Sequence, residues 1–546
     1  MNTLLLVRLL GIISLLIGAS MTVSLPWAFP ELGETPEFET AGFWALVVSI
    51  VLSVLAGLGM MYAGRASKGQ TLFRKEALAI VAFSWLLASL YGALPYYLSG
   101  TISIPAKEAG ETDQPMNVWD CIFESASGFT GTGATVINNL EDPRLVPRSI
   151  LFWRMFTHFL GGLGIMVLFV ALLGHGSAGK ALMLAEATGP TKDTGQHRVQ
   201  QAAWIFAKIF VGLNLLCTLA LWLEGLSWYD ALCHSFAGVG TGGFSTYNLS
   251  IGHFQSVPGL NAPLIEMTLV LFMMLGCTNF ALMYLAVLGR PGRLMADPEF
   301  RVYISIIAVT TMLVACFGLY YHDFEQPMAS VAGETVVPLS QTSWFHQGLE
   351  SIRFGLFQVV SVITNTGFAS ADFDRWNGAS RGILLVLMFV GSCGGSTSCS
   401  IKVIRHMLFL KILWLELEQA FHPSVVRPVR LGGQALDEGL RKNVLTYISL
   451  VLVLFVTSWL VLLMIEPDST WTAHGLSKEN KLIDCASGLA ATFNCVGPGF
   501  GLVGVLQNYS HFHAPAKMLF TLVMLLGRLE IVPLVVIFLP SFWRSR

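Results

Sequence analysis

Long apolar runs alternate along this chain with short polar or glycine-rich interruptions. Leu10 to Leu25 and Phe43 to Tyr62 are continuous and lack a period of two, so they read as helices near the roughly 20 residues that a bilayer requires, not as barrel strands. After them one unit recurs four times: a long apolar helix, a half-length apolar stretch, a Gly-rich loop and a second long helix. The first unit runs from Ala77 through a half-helix near Trp119 to Thr130 and leaves through Ile150 to Leu173. The second uses Trp204 to Trp222, Trp228 to Ala237 and Pro263 to Leu288; the third uses Val302 to Tyr320, Phe354 to Ile363 and Gly382 to Leu410. The fourth uses Val444 to Ile465, Leu482 to Phe493 and Ala516 to Leu539, which brings the expected total to ten full spans. The expected fold is an all-α integral membrane protein: an N-terminal two-helix region (1–75) and four helix–loop–helix repeats (76–200, 201–295, 296–440 and 441–546) around a central pore.

The four loops are TGTGAT at Thr130, VGTGGF at Val239, TNTGFA at Thr364 and NCVGPG at Asn494, whose starts lie 109, 125 and 130 residues apart. Hydrocarbon satisfies no bare peptide group, so such segments survive at membrane depth only where protein buries them or where they line a water-filled path. Converging backbone carbonyls can then replace the water shell of an alkali cation. The candidate ion ligands are Thr130, Gly131, Thr132 and Gly133; Val239, Gly240, Thr241 and Gly242; Thr364, Asn365, Thr366 and Gly367; and Asn494, Cys495, Val496 and Gly497. Thr and Asn side chains would brace the loops. Close helix packing by small residues is the alternative, but such motifs belong inside spans, and these lie between a half-span and a full span. Asp120, Asp230 and Asp484 precede Gly133, Gly242 and Gly497 by 13, 12 and 13 residues, which marks them as caps of the half-helices. The third unit departs, with Arg353 at the corresponding place and an amphipathic stretch from Trp344.

At 54% hydrophobic, 12% charged and mean hydropathy +0.64, the composition excludes a soluble globular protein. A net charge of −2 points to no nucleic acid. Basic clusters at Arg65 to Lys75, Lys180 to Arg198, Arg290 to Arg301, Lys402 to Lys442 and Arg544 to Arg546 face the cytoplasm by the positive-inside rule, with the loop carrying Glu31, Glu34, Glu37 and Glu39 outside. Both termini are then cytoplasmic. The run after Arg8 lacks a persuasive cleavage site and reads as a retained first span. Nine cysteines without paired spacing suggest neither a disulfide framework nor a zinc site. His511 and His513 have no third ligand nearby in sequence, and Glu124 and Glu350 read as polar anchors of the half-helices. Arg528 lies with Glu530 in an apolar helix, a functional position by default; at a spacing of two these side chains do not face each other.

The segments FESASGFTGTGATV from Phe123, HSFAGVGTGGFST from His234, VVSVITNTGFASADFDRW from Val359 and ATFNCVGPGFG from Ala491 resemble the four pore loops of the Trk/Ktr/HKT superfamily of cation transporters. WRMFTHFLGGLGIMVL from Trp153, GSCGGSTSCSIKVIR from Gly391 and MLLGRLEIVPLVVIF from Met524 extend the resemblance over nearly the whole chain. It implies potassium as the transported ion, with Gly133, Gly242, Gly367 and Gly497 as the filter glycines and no organic cofactor. It also implies a homodimer in the bacterial inner membrane, seated on a cytoplasmic ring of nucleotide-binding TrkA-type subunits. No Rossmann fingerprint occurs in this chain, so nucleotide control would come from that partner. Gly391, Gly394, Gly395, Ser396, Ser398, Cys399 and Ser400 match the intramembrane loop that closes the pore in this family, and Arg528 would stand on the cytoplasmic side of the filter. Gly131, Cys495 and the run Ser398, Cys399, Ser400 depart from the family pattern. Among other classes, a proton- or sodium-coupled carrier would show two inverted halves, and a membrane enzyme would need a convergent acid, base or metal cluster.

Overall fold

The computed structural model describes residues 2–67, 73–106, 112–164, 196–325, 342–422, 430–431, 434–435 and 438–544. These are overwhelmingly helical. Two small antiparallel ribbons pair Ile102–Ile104 with Gln114–Pro115 and Arg430–Leu431 with Gln434–Ala435, placing Ile102 opposite Pro115 and Arg430 opposite Ala435. Six described helices are long and apolar enough to cross a membrane, or seven when one sharply bent pair is taken as a single span. The chain is a multi-pass membrane protein.

The first helix, Thr3–Met21, starts at Asn2, whose side chain accepts from the Leu5 amide, and continues as a 3-10 turn, Thr22–Ala28. It packs along Thr40–Ala63 through small residues. A Cβ on Gly11 would lie 2.7 Å from the Gly57 carbonyl oxygen, and one on Gly57 would lie 2.8 Å from that of Gly11. The backbones therefore touch, the contact that holds helices together where lipid removes the hydrophobic drive. Ser14 and Ser49 return their hydroxyls to Leu10 and Ala45 of their own helices, so the seam carries no unpaired hydroxyl at those two positions.

The four units begin with long helices at Arg74–Ser99, Gln196–Leu223, Pro298–Tyr321 and Glu438–Ile465. The half-helices are Val118–Thr130, Trp228–Val239, Trp344–Ile363 and Asn480–Phe493. The third absorbs the amphipathic stretch from Trp344 into one 20-residue helix. Two of the returning helices correct the expectation of ten full spans, and the third is broken where its run of small residues implies. Pro263 to Leu288 divides into Ala262–Gly276 and Phe280–Val287, bent by 107°, because Asn279 caps a new helix by accepting from the Ala281 and Leu282 amides. Ala516 to Leu539 divides into Ala514–Arg528 and Val532–Ile537, where Glu530 and Ile531 take positive φ. Gly382 to Leu410 is interrupted between Phe389 and Val403. In the first unit Arg148–Leu163 is described, and the expected continuation to Leu173 lies outside the described residues, as do Lys68, Lys180 and Lys192.

Gly11→Val should lower the thermal stability of the detergent-solubilised protein by about 1–3 kcal/mol through overpacking. Gly59→Val, in the same helix but with nothing within 4 Å of the new Cβ, should leave the melting temperature unchanged.

Candidate functional site

Each half-helix ends at its Gly-rich loop, and the four loops close into a ring. A Cβ on Gly133 would overlap the carbonyl oxygen of Gly242, one on Gly243 that of Thr366, one on Gly367 that of Val496 and one on Gly497 that of Thr132. All four glycines have positive φ, from 77° to 95°, where an L side chain is strained even with space available. Two positions earlier, Gly131, Thr241, Asn365 and Cys495 are also left-handed, at 69°, 54°, 58° and 55°. The residues between them return their amides five residues back: Thr132 to Ser127, Gly242 to Ala237, Thr366 to Ser361 and Val496 to Ala491.

This geometry shifts the second loop by one residue from the sequence expectation. Gly243, not Gly242, matches Gly133, Gly367 and Gly497, and Val239 corresponds to Phe129, Ile363 and Phe493, one place ahead of the ring. Gly161, Gly276 and Gly527 of the returning helices press in the same manner on the carbonyls of Phe129, Val239 and Phe493. The signal was present in the sequence, since Asp230 precedes Gly243 by the same 13 residues found in the first and fourth loops.

Side chains brace the ring from behind. Thr130 and Thr132 hydroxyls lie 2.7 Å apart, Thr364 and Thr366 hydroxyls 2.8 Å apart, and Asn494 Nδ2 donates to the Ala490 carbonyl. Buried Glu124 accepts from Thr135 Oγ1, the Val136 amide and Arg154 Nε, the last at 2.6 Å. Arg154 also donates to the Ser245 carbonyl and lies 3.3 Å over the Phe244 ring, so one ion pair joins the first loop to the second. His158 adds to this joint, with Nδ1 at 2.8 Å from the Gly128 carbonyl and Nε2 accepting from the Phe244 amide.

Asn117 and Ser227 cap the first two half-helices; Asp120, three residues in, completes a capping box by accepting from the Asn117 amide at 3.1 Å, Asp230 stands at the same place in the second, and Asp484 is the fifth residue of its helix and not a cap. Their carboxylates also reach outward: Asp120 to Lys517 at 2.6 Å, Asp230 to Thr246 and Tyr247 at 2.7 Å, Asp484 to Trp471 Nε1 at 2.8 Å. Arg353 does the corresponding work in the third unit, bound to Glu266 and Glu350. Outside the membrane, His513 pairs with Glu466 at 2.8 Å. Burial, with His474 beside it, holds the His511 imidazole down at about 4. No three His, Cys, Asp or Glu side chains gather to hold a metal among the described residues.

The interrupted third returning helix lies against the ring. Gly391 donates to Ile401, and Gly394 donates to Glu299 Oε1. Gly395 accepts from the Phe280 amide, tying the segment to the bend in the second unit. Ser396 donates to Cys393, and Ser398 contacts Ser392 and buried Lys402. Thr397, which the sequence reading passed over, donates to the carbonyls of Gly276 at 2.9 Å and Val239 at 3.4 Å. Cys399 reaches the Thr130 carbonyl at 3.6 Å, and Ser400 donates to Asn494 Oδ1 at 2.9 Å. The third loop is met by Cys277, whose thiol donates to Thr364 at 3.3 Å. Arg528 donates to the Thr397 carbonyl at 2.8 Å and to the Gly161 carbonyl. Glu530 pairs instead with Arg405 at 2.5 Å.

A family model described as TrkH, cation transport protein, matches residues 47–545. The chain belongs to the TrkH family. It is 33% identical to the Trk system potassium uptake protein TrkH of Halomonas elongata over 92% of this chain and 93% of that protein. It is 32% identical to TrkH of Escherichia coli K12, over 92% of each. The crystal structure of the potassium transporter TrkH from Vibrio parahaemolyticus superimposes with a TM-score of 0.77 at 29% identity, covering 98% of this chain and 99% of that one. These TrkH relatives are transport proteins, and the chain is not an enzyme.

Glu124→Gln should leave Arg154 without its buried counter-charge and lower stability by about 3–5 kcal/mol. Thermal unfolding of the solubilised protein measures this, with the exposed pair variant Asp468→Asn, next to Lys481, as a control expected to stay close to wild type.

Proposed function

We propose that the chain is a gated, channel-like pore for potassium uptake across the bacterial inner membrane. The observation that carries this reading is the ring: four loops with matched left-handed backbone positions, each pressed on the carbonyl of the next. Carbonyls along Thr130 to Gly133, Gly240 to Gly243, Thr364 to Gly367 and Asn494 to Gly497 would replace the hydration shell of the ion, with Val239 adjoining the second set. The related potassium uptake proteins of Halomonas elongata and Escherichia coli suggest potassium as the ion.

The segment from Gly391 to Ser400 would be the gate. Its contacts with the loops are few, and several are long or made by sulfur. At about 0.5–1.5 kcal/mol net for a typical hydrogen bond, they can be released by a coupling of the order of 1–3 kcal/mol. A cytoplasmic TrkA-type nucleotide-binding subunit beneath a homodimer, with both termini of this chain on the same side, would deliver that coupling. Arg528, and Lys402 just after the segment, would put positive charge below the ring, where low dielectric enlarges the barrier to a cation. Arg528 also fastens the segment through Thr397.

Flux through the purified protein in liposomes tests the reading. Unitary potassium currents are expected; slow, saturable flux that follows a proton or sodium gradient would indicate a coupled carrier instead. Gly133→Ser should raise sodium permeation relative to potassium, and an unchanged ratio would remove that loop from the filter. Arg528→Ala should increase potassium flux without the cytoplasmic partner, and correctly inserted protein with no gain would leave Arg528 a purely structural tie.

A further inference from the structure

The peptide that follows the ring glycine is anchored in opposite ways in the second and fourth loops. In the second, the Phe244 amide donates to His158 Nε2 at 3.2 Å, so the Gly243–Phe244 peptide is held by its N–H. In the fourth, the Tyr509 hydroxyl donates to the Gly497 carbonyl at 2.9 Å, so the Gly497–Pro498 peptide is held by its C=O. A trans peptide points these two groups in opposite directions. Tyr509 is buried, with its ring against Phe123 and Phe520 and its amide on the Thr135 carbonyl, so its hydroxyl reaches the loop from packed protein between the fourth and first units. The nitrogen side of the same peptide faces the third loop, since a Cβ on Gly367 would lie 3.0 Å from Pro498 Cδ. Proline has no N–H, and a carbonyl turned outward here therefore sends no donor inward. Among the described residues, the carbonyls of Gly133, Gly243 and Gly367 accept no corresponding bond.

We propose that Tyr509 is a specificity-determining positioning residue, whose hydroxyl turns the Gly497 carbonyl away from the ion path and leaves the site at the ring glycines with carbonyls from three loops. The inference rests on the proposed filter and refines it: the fourth loop serves the path through Asn494 to Val496. The number of carbonyl dipoles around a cation governs how well they replace its water shell, so three discriminate less between potassium and sodium than four would. Tyr509→Phe keeps the ring packing and removes only the donor. The Gly497 carbonyl is then buried without a partner, which is unfavourable, and turning toward the ion path supplies one.

Reversal potentials of the purified protein in planar bilayers, with potassium on one side and sodium on the other, read the permeability ratio independently of how many molecules conduct. Tyr509→Phe should raise the preference for potassium over sodium at least about twofold. Tyr229→Phe, which removes the same kind of buried bond from the Arg148 carbonyl, should keep the wild-type ratio. A second variant reads the other side of the peptide: Pro498→Ala returns an N–H that faces the path while Tyr509 still holds the carbonyl, and should lower the unitary potassium conductance at least about twofold. An unchanged ratio in Tyr509→Phe, a shift toward sodium, or an equal shift in Tyr229→Phe overturns the inference and leaves the filter standing. If Tyr509→Phe does not insert, Pro498→Ala decides alone, and an undiminished conductance overturns the inference. Absence of any potassium preference in wild type counts against the filter itself, and the inference falls with it.

Discussion

A carbonyl oxygen lying against a glycine of the neighbouring loop is the contact on which the centre of this molecule depends. It occurs four times, from Gly133 to Gly242, from Gly243 to Thr366, from Gly367 to Val496 and from Gly497 to Thr132, and the series closes on itself. A Cβ at any of these glycines would meet backbone, which cannot move aside as a flexible side chain can. Since a left-handed φ is also required there, space and conformation select the same residue. The loops have no helical bonding of their own, so their peptide groups must be satisfied by protein in a setting where lipid offers no partner.

The polar residues around the ring follow from that need. Glu124 alone satisfies Thr135, Val136 and Arg154, and Arg154 carries the connection on to Ser245. A buried ion pair is weak evidence for stability; here its effect is to fix the position of one loop relative to the next. Asp120 with Lys517 links units one and four, and Arg353 with Glu266 links units three and two. The Asp120 link sits at the start of the first half-helix and its loop at the end, so that half-helix is held at both extremities, whereas Arg353 ties the third at its middle. The C-terminal end of each helix dipole then faces the ring with fixed partial negative charge.

Much of this was legible in the sequence, for identifiable reasons. The spans and half-spans show in uninterrupted hydrophobicity, and the loops stand out because Gly and Thr runs are foreign to it. The break after Phe389 was visible because seven Gly and Ser residues in the ten from Gly391 to Ser400 weaken helix preference. The bend at Asn279 was not, since Cys277, Thr278 and Asn279 look like three ordinary residues within an apolar run, and only the capping bonds of Asn279 reveal a new helix start. The register of the second loop was misread because its two consecutive glycines, Gly242 and Gly243, offer two alignments. Only the backbone conformation decides between them. Asp120, Asp230 and Asp484 were located correctly at the half-helices, and Asp120 does share in capping, but a local motif cannot show that its carboxylate also reaches Lys517 of another unit.

The same distinction explains the intramembrane segment. Its sequence announces flexibility, yet its position comes from partners scattered along the chain: Glu299, Phe280, Gly276, Thr130, Asn494 and Arg528 each contribute one or two bonds. No single contact holds it. The segment between the helices Gly378–Phe389 and Val403–Phe421 is held by many small, dispersed interactions, whereas the ring beside it is fixed by backbone contact and buried ion pairs. A rigid ring and a loosely held segment can therefore adjoin one another within a few ångströms, because one is built from backbone overlap and the other from weak, dispersed bonds.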